Sequence, residues 1–125
     1  MLDVVTASIM TAVVLVPSMN IMRRSLAITT ANEMRQEMST LATSTMERQM
    51  VASTVDFRRQ SYSGLHRVSG QQLRYRVIAS DRTDYGGVAG QLLGIAVTTW
   101  HDENRNRRPD SGEATLTLYS KVARR

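Results

Sequence analysis

The stretch MLDVVTASIMTAVVLVPSMNIMRR, residues 1–24, decides the architecture of this 125-residue chain. Residues 4–22 carry no charged side chain, whereas Asp3 precedes them and Arg23 and Arg24 follow them. At about 1.5 Å of rise per residue, a helix of that length spans the roughly 30 Å hydrocarbon core of a bilayer. The segment is therefore predicted to cross a membrane once.

Polar residues dilute the apolar character of this segment, which leaves two alternatives open. It could be the core of a signal peptide or a buried helix of a soluble protein. A cleavable secretory signal fits poorly, because Asp3 precedes the apolar run without any Lys or Arg and no small-x-small cleavage site follows it. The diluting residues are Thr6, Ser8, Thr11, Ser18 and Asn20.

The helical pattern continues beyond Arg24. Apolar or small residues recur there at steps of three, four or seven, namely Ala27, Ala31, Met34, Met38, Leu41, Thr45, Ala52 and Val55. No glycine precedes Gly64, and Pro17, which lacks a backbone N–H, is expected to kink the helix within its apolar half. One long helix is thus predicted, with residues 1–22 in the membrane and residues 23–56 as its amphipathic continuation.

The second half of the chain, residues 57–125, has the pattern of a small antiparallel sheet. Its apolar runs are β-branched or alternate with polar residues, which predicts about three strands at 73–79, 92–99 and 114–122. Residues 57–72 are predicted as a polar loop region. Short connections favour a meander that buries one face against the helix, so the predicted fold class is α+β.

Composition argues against catalysis. The chain has no cysteine, which removes disulfides, cysteine zinc sites and thiol chemistry. His66 and His101 are the only histidines, and neither stands in a metal-ligand spacing. Because a glycine-rich phosphate loop and a nucleophile motif are also missing, we do not expect an enzyme.

A loop of carboxylates and amides suggests a possible metal site. Its oxygen-bearing residues fall at positions 1, 3, 5, 9 and 12 of an EF-hand-type calcium loop, namely Asp102, Asn104, Asn106, Asp110 and Glu113. Arg107 stands where the sharp turn of such a loop favours glycine, and the flanking segments read as strands. Two interpretations stay open: a Ca²⁺ site, or a hairpin loop whose acids and arginines satisfy one another.

The basic residues suggest a second kind of site. Lys and Arg total 16 against 11 acidic residues, a net charge of +5. Basic groups interspersed with aromatic residues can bind phosphates and stack on bases. The candidate nucleic-acid contacts are Arg58, Arg59, Arg67, Arg74 and Arg76. The alternative is a solvated surface, or contacts with acidic neighbours.

The order of these features resembles a known family. Met1-Leu2-Asp3, a weakly polar apolar helix, an amphipathic continuation and a small sheet look like the type IV pilins and the pseudopilins of type II secretion. The run from Ile95 to Trp100, followed by a polar loop and a final strand, is similar to the ending of minor subunits of the I and V kinds. The resemblance in architecture covers essentially the whole chain.

The resemblance implies a structural role without a required cofactor. The chain would be a minor pilin or pseudopilin, a single-pass protein of the bacterial inner membrane with its C-terminal domain in the periplasm or on the filament. Its partners would be other pilin-like subunits, a prepilin peptidase and an assembly platform. Asp3 would stand for the family's glutamate and pair with the N-terminal amine of a neighbouring subunit. From physics alone, Asp3 could instead stabilise the positive end of the helix dipole.

The family's basic leader ending in glycine has no counterpart before Met1. We therefore predict a longer native precursor with Lys or Arg before a glycine. The alternative function, from a different class, is a single-span membrane-anchored binding protein whose basic domain binds DNA or an acidic partner.

Overall fold

The computed structural model describes residues 2–125. Its elements in chain order are one long helix, α1 (Leu2–Val55), and four strands, β1 (Gln60–Val68), β2 (Gln71–Ser80), β3 (Leu92–His101) and β4 (Thr115–Ala123), with a 3-10 turn at Thr83–Tyr85. The predicted α+β layout of a long helix and a small antiparallel sheet is confirmed. The chain divides into two compact units, one ending at Met34 and the other covering Arg35–Arg125. This division falls within the predicted amphipathic segment, residues 23–56.

The sheet of the second unit is a meander in which each strand pairs antiparallel with the next along the chain. Val77, Val97 and Leu118 are direct neighbours across β2, β3 and β4. Their face of the sheet packs on the last third of α1, where a buried cluster comprises Ala42, Met46, Val77, Ala79, Ile95, Val97 and Val122. Since each fully buried aliphatic side chain contributes about 1.5–3 kcal/mol, this single layer is the core that holds helix and sheet together.

The prediction of three strands was wrong, because β1 forms a fourth strand within the expected loop at 57–72. As an edge strand, β1 has one neighbour, and most of its side chains are exposed. It therefore lacks the apolar alternation by which half-buried strands are recognised. The turn from β1 to β2 consists of Ser69 and Gly70, whose φ angles of 50° and 79° suit a two-residue hairpin.

The predicted apolar stripe of α1 is buried only from Met38 to Thr45. Ala52 and Val55 were predicted to belong to it but are exposed. The buried positions beyond Thr45 are Met46, Gln49 and Ser53. Hydrophobicity alone does not predict this buried face, because Gln49 and Ser53 are polar. Hydrogen bonds compensate the cost of burying their side chains.

A close backbone approach requires glycine in β3. A side chain at Gly94 would place its Cβ 1.8 Å from the carbonyl oxygen of Tyr85. The 3-10 turn at Thr83–Tyr85 therefore lies directly on the strand, where only a residue without Cβ leaves room. This contact positions the β2–β3 connection over the sheet.

Candidate functional site

The first part of α1 presents a face of mostly small residues. Asp3 lies in the first turn of the helix, and α1 continues through Pro17 without ending there. A shallow open groove on this face is lined by Asp3, Val4, Ala7, Ser8, Thr11, Ala12 and Leu15. Small residues at a helix surface allow a second helix to approach closely in lipid.

The hydroxyl groups that dilute the apolar segment form hydrogen bonds within α1. Thr6 Oγ1 donates to the carbonyl oxygen of Leu2 at 2.8 Å. Ser8, Thr11 and Ser18 each donate in the same way to the carbonyl four residues earlier. Because these donors have partners inside the helix, they would remain satisfied in hydrocarbon.

The apolar side chains of this part of α1 are uncovered. Between Leu2 and Met22, twelve large apolar side chains have exposed fractions from 53% to 84%. A window of 18 residues in α1 is apolar enough to cross a membrane, and none of it is buried within the described part of the chain. By length and composition, the helix could span a bilayer. The alternative of a helix buried in its own domain is not realised within residues 2–125.

The loop between β3 and β4 is fixed to the sheet by a buried ion pair. The side chain of Asp102 is fully buried, and its Oδ2 accepts a hydrogen bond from Nε of Arg74 at 2.7 Å. The same carboxylate accepts the backbone N–H groups of Asn106 and Arg107, both at 3.1 Å. These hydrogen bonds compensate the burial of the carboxylate and hold the first half of the loop in place.

Two further carboxylates of the loop, those of Asp110 and Glu113, accept hydrogen bonds from the loop itself. Asp110 Oδ2 accepts both side-chain amides, from Asn104 at 2.6 Å and from Asn106 at 2.5 Å. Glu113 accepts the backbone N–H groups of Glu103 at 3.0 Å and Asp110 at 3.2 Å. The structure thus brings together all five residues that the sequence indicated.

These contacts support the interpretation of a loop held by its own hydrogen bonds. Arg74 and the two asparagine amides occupy carboxylate oxygens that a cation would need. Arg107 adopts the left-handed conformation, φ 64°, that a calcium loop usually assigns to glycine. In the described residues, no three His, Asp or Glu side chains are arranged as a metal-binding group. A calcium titration decides between the two interpretations of this loop.

Three of the five candidate nucleic-acid arginines are paired with carboxylates. The pairs are Arg58 with Asp56, Arg59 with Asp81 and Arg74 with Asp102. Arg76 lies with its guanidinium 5.6 Å from the ring centre of Trp100. The strand register places Arg67, Arg74 and Arg76 on the same face of the sheet, opposite to the face that packs on α1. Pairing lowers the charge that this face can offer to phosphates.

A buried polar network joins α1 to β1, and the sequence pattern does not indicate it. Gln49 is 2% exposed, and its side-chain amide donates to Ser53 Oγ at 3.0 Å. The hydroxyl of Tyr62 donates to Gln49 Oε1 at 2.9 Å. Burial raises the pKa of the Tyr62 phenol, with a smaller contribution from the nearby Tyr75. The network fixes the end of the helix on the edge strand.

Asp81 organises the connection between β2 and β3. Its Oδ2 accepts the backbone N–H of Gly90 at 3.0 Å, and its Oδ1 accepts Nε of Arg59. The hydrogen bond from Gly90, followed by that from Arg59, holds the pKa of Asp81 below its ordinary value. Asp81 therefore links Arg59, the residue before β1, to Gly90 in the loop that precedes β3.

Comparisons with known proteins give no relative for this chain. No protein-family model, no curated protein and no solved structure matches it. The proposals below therefore rest on the residues and their geometry, together with the architectural resemblance described above.

Proposed function

We propose that this protein is a minor pilin or pseudopilin, a structural subunit that is anchored in the bacterial inner membrane and assembles through its N-terminal helix. The observation that carries the proposal is the uncovered apolar surface of α1. Twelve large apolar side chains are exposed there. At about 1.5–3 kcal/mol for each, leaving them in water would cost on the order of 20 kcal/mol. Lipid, and later the helices of neighbouring subunits, would cover this surface.

Asp3 gives the proposed assembly its specificity. A carboxylate at the membrane boundary is costly unless it is paired, and ionisable groups in such segments are functional candidates by default. Asp3 shares its helix face with Ala7 and Thr11, which permit close approach of a second helix. The N-terminal amine of an adjacent subunit would supply the opposite charge.

The alternative, a membrane-anchored protein that binds nucleic acid, has weaker support. Its candidate arginines lie outside the helix, and three of the five are paired with Asp56, Asp81 or Asp102. The remaining two, Arg67 and Arg76, share one sheet face. Salt-dependent retention on DNA with a slope near zero would remove this alternative.

The proposal is tested by replacing Asp3 in the producing bacterium and measuring incorporation of the subunit into the filament or pseudopilus fraction. Asp3→Ala should leave the subunit in the membrane but reduce its incorporation strongly, while Asp3→Glu should keep it. Fluorescence of Trp100, which is 1% exposed, reports whether the sheet unit remains folded. Unchanged incorporation of Asp3→Ala, or recovery of the wild-type chain as a soluble protein without the membrane, would contradict the proposal.

A further inference from the structure

The tip of the β3–β4 loop displays unpaired positive charge. Arg105, Arg107 and Arg108 are exposed. None of the three forms an ion pair with a carboxylate within residues 2–125. They stand close together in sequence on a loop that Arg74 and Asp102 fix to the sheet. The tip therefore carries three guanidinium groups on a held backbone.

The carboxylates of the same loop do not neutralise these arginines. Asp102 faces Arg74, Asp110 holds the two asparagine amides, and Glu113 accepts backbone N–H groups. Glu103, the fourth acid of the loop, is exposed and lies 3.3 Å from His101 Nδ1. Three exposed arginines against this one exposed acid leave the tip with excess positive charge. That excess suits an acidic partner, since guanidinium groups bind carboxylates in a planar, bidentate manner.

The backbone of the tip adds an independent observation. Arg105 and Arg107 adopt left-handed φ angles of 59° and 64°, a region that glycine or asparagine enters more readily than arginine. The loop therefore carries arginine at two positions whose backbone glycine or asparagine would adopt more readily.

The helix carries a matching acidic pair. Glu33 and Glu37 are four residues apart on α1 and so lie on the same side of it, with Glu33 exposed and Glu37 half-buried. Like charges at this spacing repel each other. No basic residue stands three or four positions from either glutamate. The pair therefore has no basic partner at these spacings on α1, and positive charge from another surface would relieve the repulsion.

We infer that the arginine tip, Arg105 to Arg108, docks on the Glu33–Glu37 pair of a neighbouring copy of this chain. The inference rests on the proposed function, because it requires two subunits side by side in an assembly. A contact between two different surfaces is head-to-tail and can repeat along a row of subunits, as filament growth demands. It relieves the repulsion of the glutamates and uses the arginines that the loop displays.

The contact is tested by cross-linking full-length chains in lipid vesicles. The chain has no native cysteine, so one variant carries Ser111→Cys beside the arginine tip and the other carries Thr40→Cys near the glutamates. Both positions are exposed. A mixture of the two variants should give a mixed dimer with a short bismaleimide linker. Ser61→Cys, an exposed position at the opposite end of the sheet from the β3–β4 loop, replaces Ser111→Cys as the control and should give little product.

Charge reversal identifies the partner surface. R105E/R107E/R108E on the Ser111→Cys copy, or E33R/E37R on the Thr40→Cys copy, should each lower the yield of mixed dimer several-fold. The two reversals together should restore it. If either reversal alone leaves the yield unchanged, or if the combination fails to restore it, the inference is overturned.

Three further outcomes are informative. Retention on duplex DNA that R105E/R107E/R108E abolishes, with unchanged cross-linking, would assign the tip to nucleic acid and overturn the inference. Cross-linking through α1 that depends on Asp3 but not on the arginine tip would overturn this inference alone. Absence of any association between copies in the vesicles would count against both this inference and the proposed function.

Discussion

Replacing Asp102 by alanine should cost the sheet unit about 3–5 kcal/mol of its free energy of unfolding. The carboxylate is fully buried and lies 2.7 Å from Arg74, whose side chain is only 20% exposed. Alanine leaves this guanidinium largely buried without a counter-charge. It also removes the acceptor for the backbone N–H groups of Asn106 and Arg107. Loss of one partner of a buried pair is far more costly than the pair's own contribution.

The exposed pair Arg82–Asp84 provides the matched control. Its atoms are 3.4 Å apart and both side chains are more than half exposed, so Asp84→Ala should cost only about 0–1 kcal/mol. Urea unfolding of the full chain in detergent micelles, followed by Trp100 fluorescence, measures both variants. The double variant R74M/D102L removes both charges and should recover the part of the loss that comes from the unpaired guanidinium. If Asp102→Ala costs no more than Asp84→Ala, the assignment of a buried ion pair as the anchor of the loop is refuted.

Three other predictions concern the sheet unit. Gly94→Ala should lower the free energy of unfolding by about 1–3 kcal/mol, because its Cβ would meet the Tyr85 carbonyl oxygen, whereas Gly112→Ala, with nothing near its Cβ, should be nearly neutral in the same urea experiment. The pKa of Asp81 is lowered by folding, so its contribution to stability is present above the unfolded value of about 3.9 and is lost as pH falls through the folded value. The difference in melting temperature between wild type and Asp81→Asn should therefore shrink on acidification, and a constant difference would contradict this. Millimolar calcium should leave the melting temperature and Trp100 fluorescence unchanged, while a clear rise in melting temperature would show that the loop binds the cation.

The parts of the fold that sequence predicts best are those with a repeating physical signal. The long helix is evident because residues 4–22 are uncharged and no glycine interrupts the chain before Gly64. The strands β2, β3 and β4 are evident because each buries a face. β1 is not, since an edge strand is held by backbone pairing along Gln60–Val68 and needs few apolar residues.

In the β3–β4 loop, too, the sequence predicts some contacts and not others. The spacing from Asp102 to Glu113 indicates that these side chains meet, and they do. Spacing does not indicate which partner each carboxylate takes, because Arg74 reaches Asp102 only through the pairing of β2 with β3. Gln49 likewise enters the core because Tyr62 and Ser53 supply hydrogen bonds that become visible only once β1 is in place.

The apolar part of α1 is proposed to assemble with other helices through the face that carries Asp3. Cross-linking of single-cysteine variants in lipid vesicles measures this assembly, because the chain has no cysteine of its own. Products should be abundant at Ala7 and Thr11, which share the groove with Asp3, and scarce at Ile9 and Val13, which point away from it at 3.6 residues per turn. Asp3→Ala should suppress the products. Equal yields around the helix, or full yields in Asp3→Ala, would contradict assembly through this face.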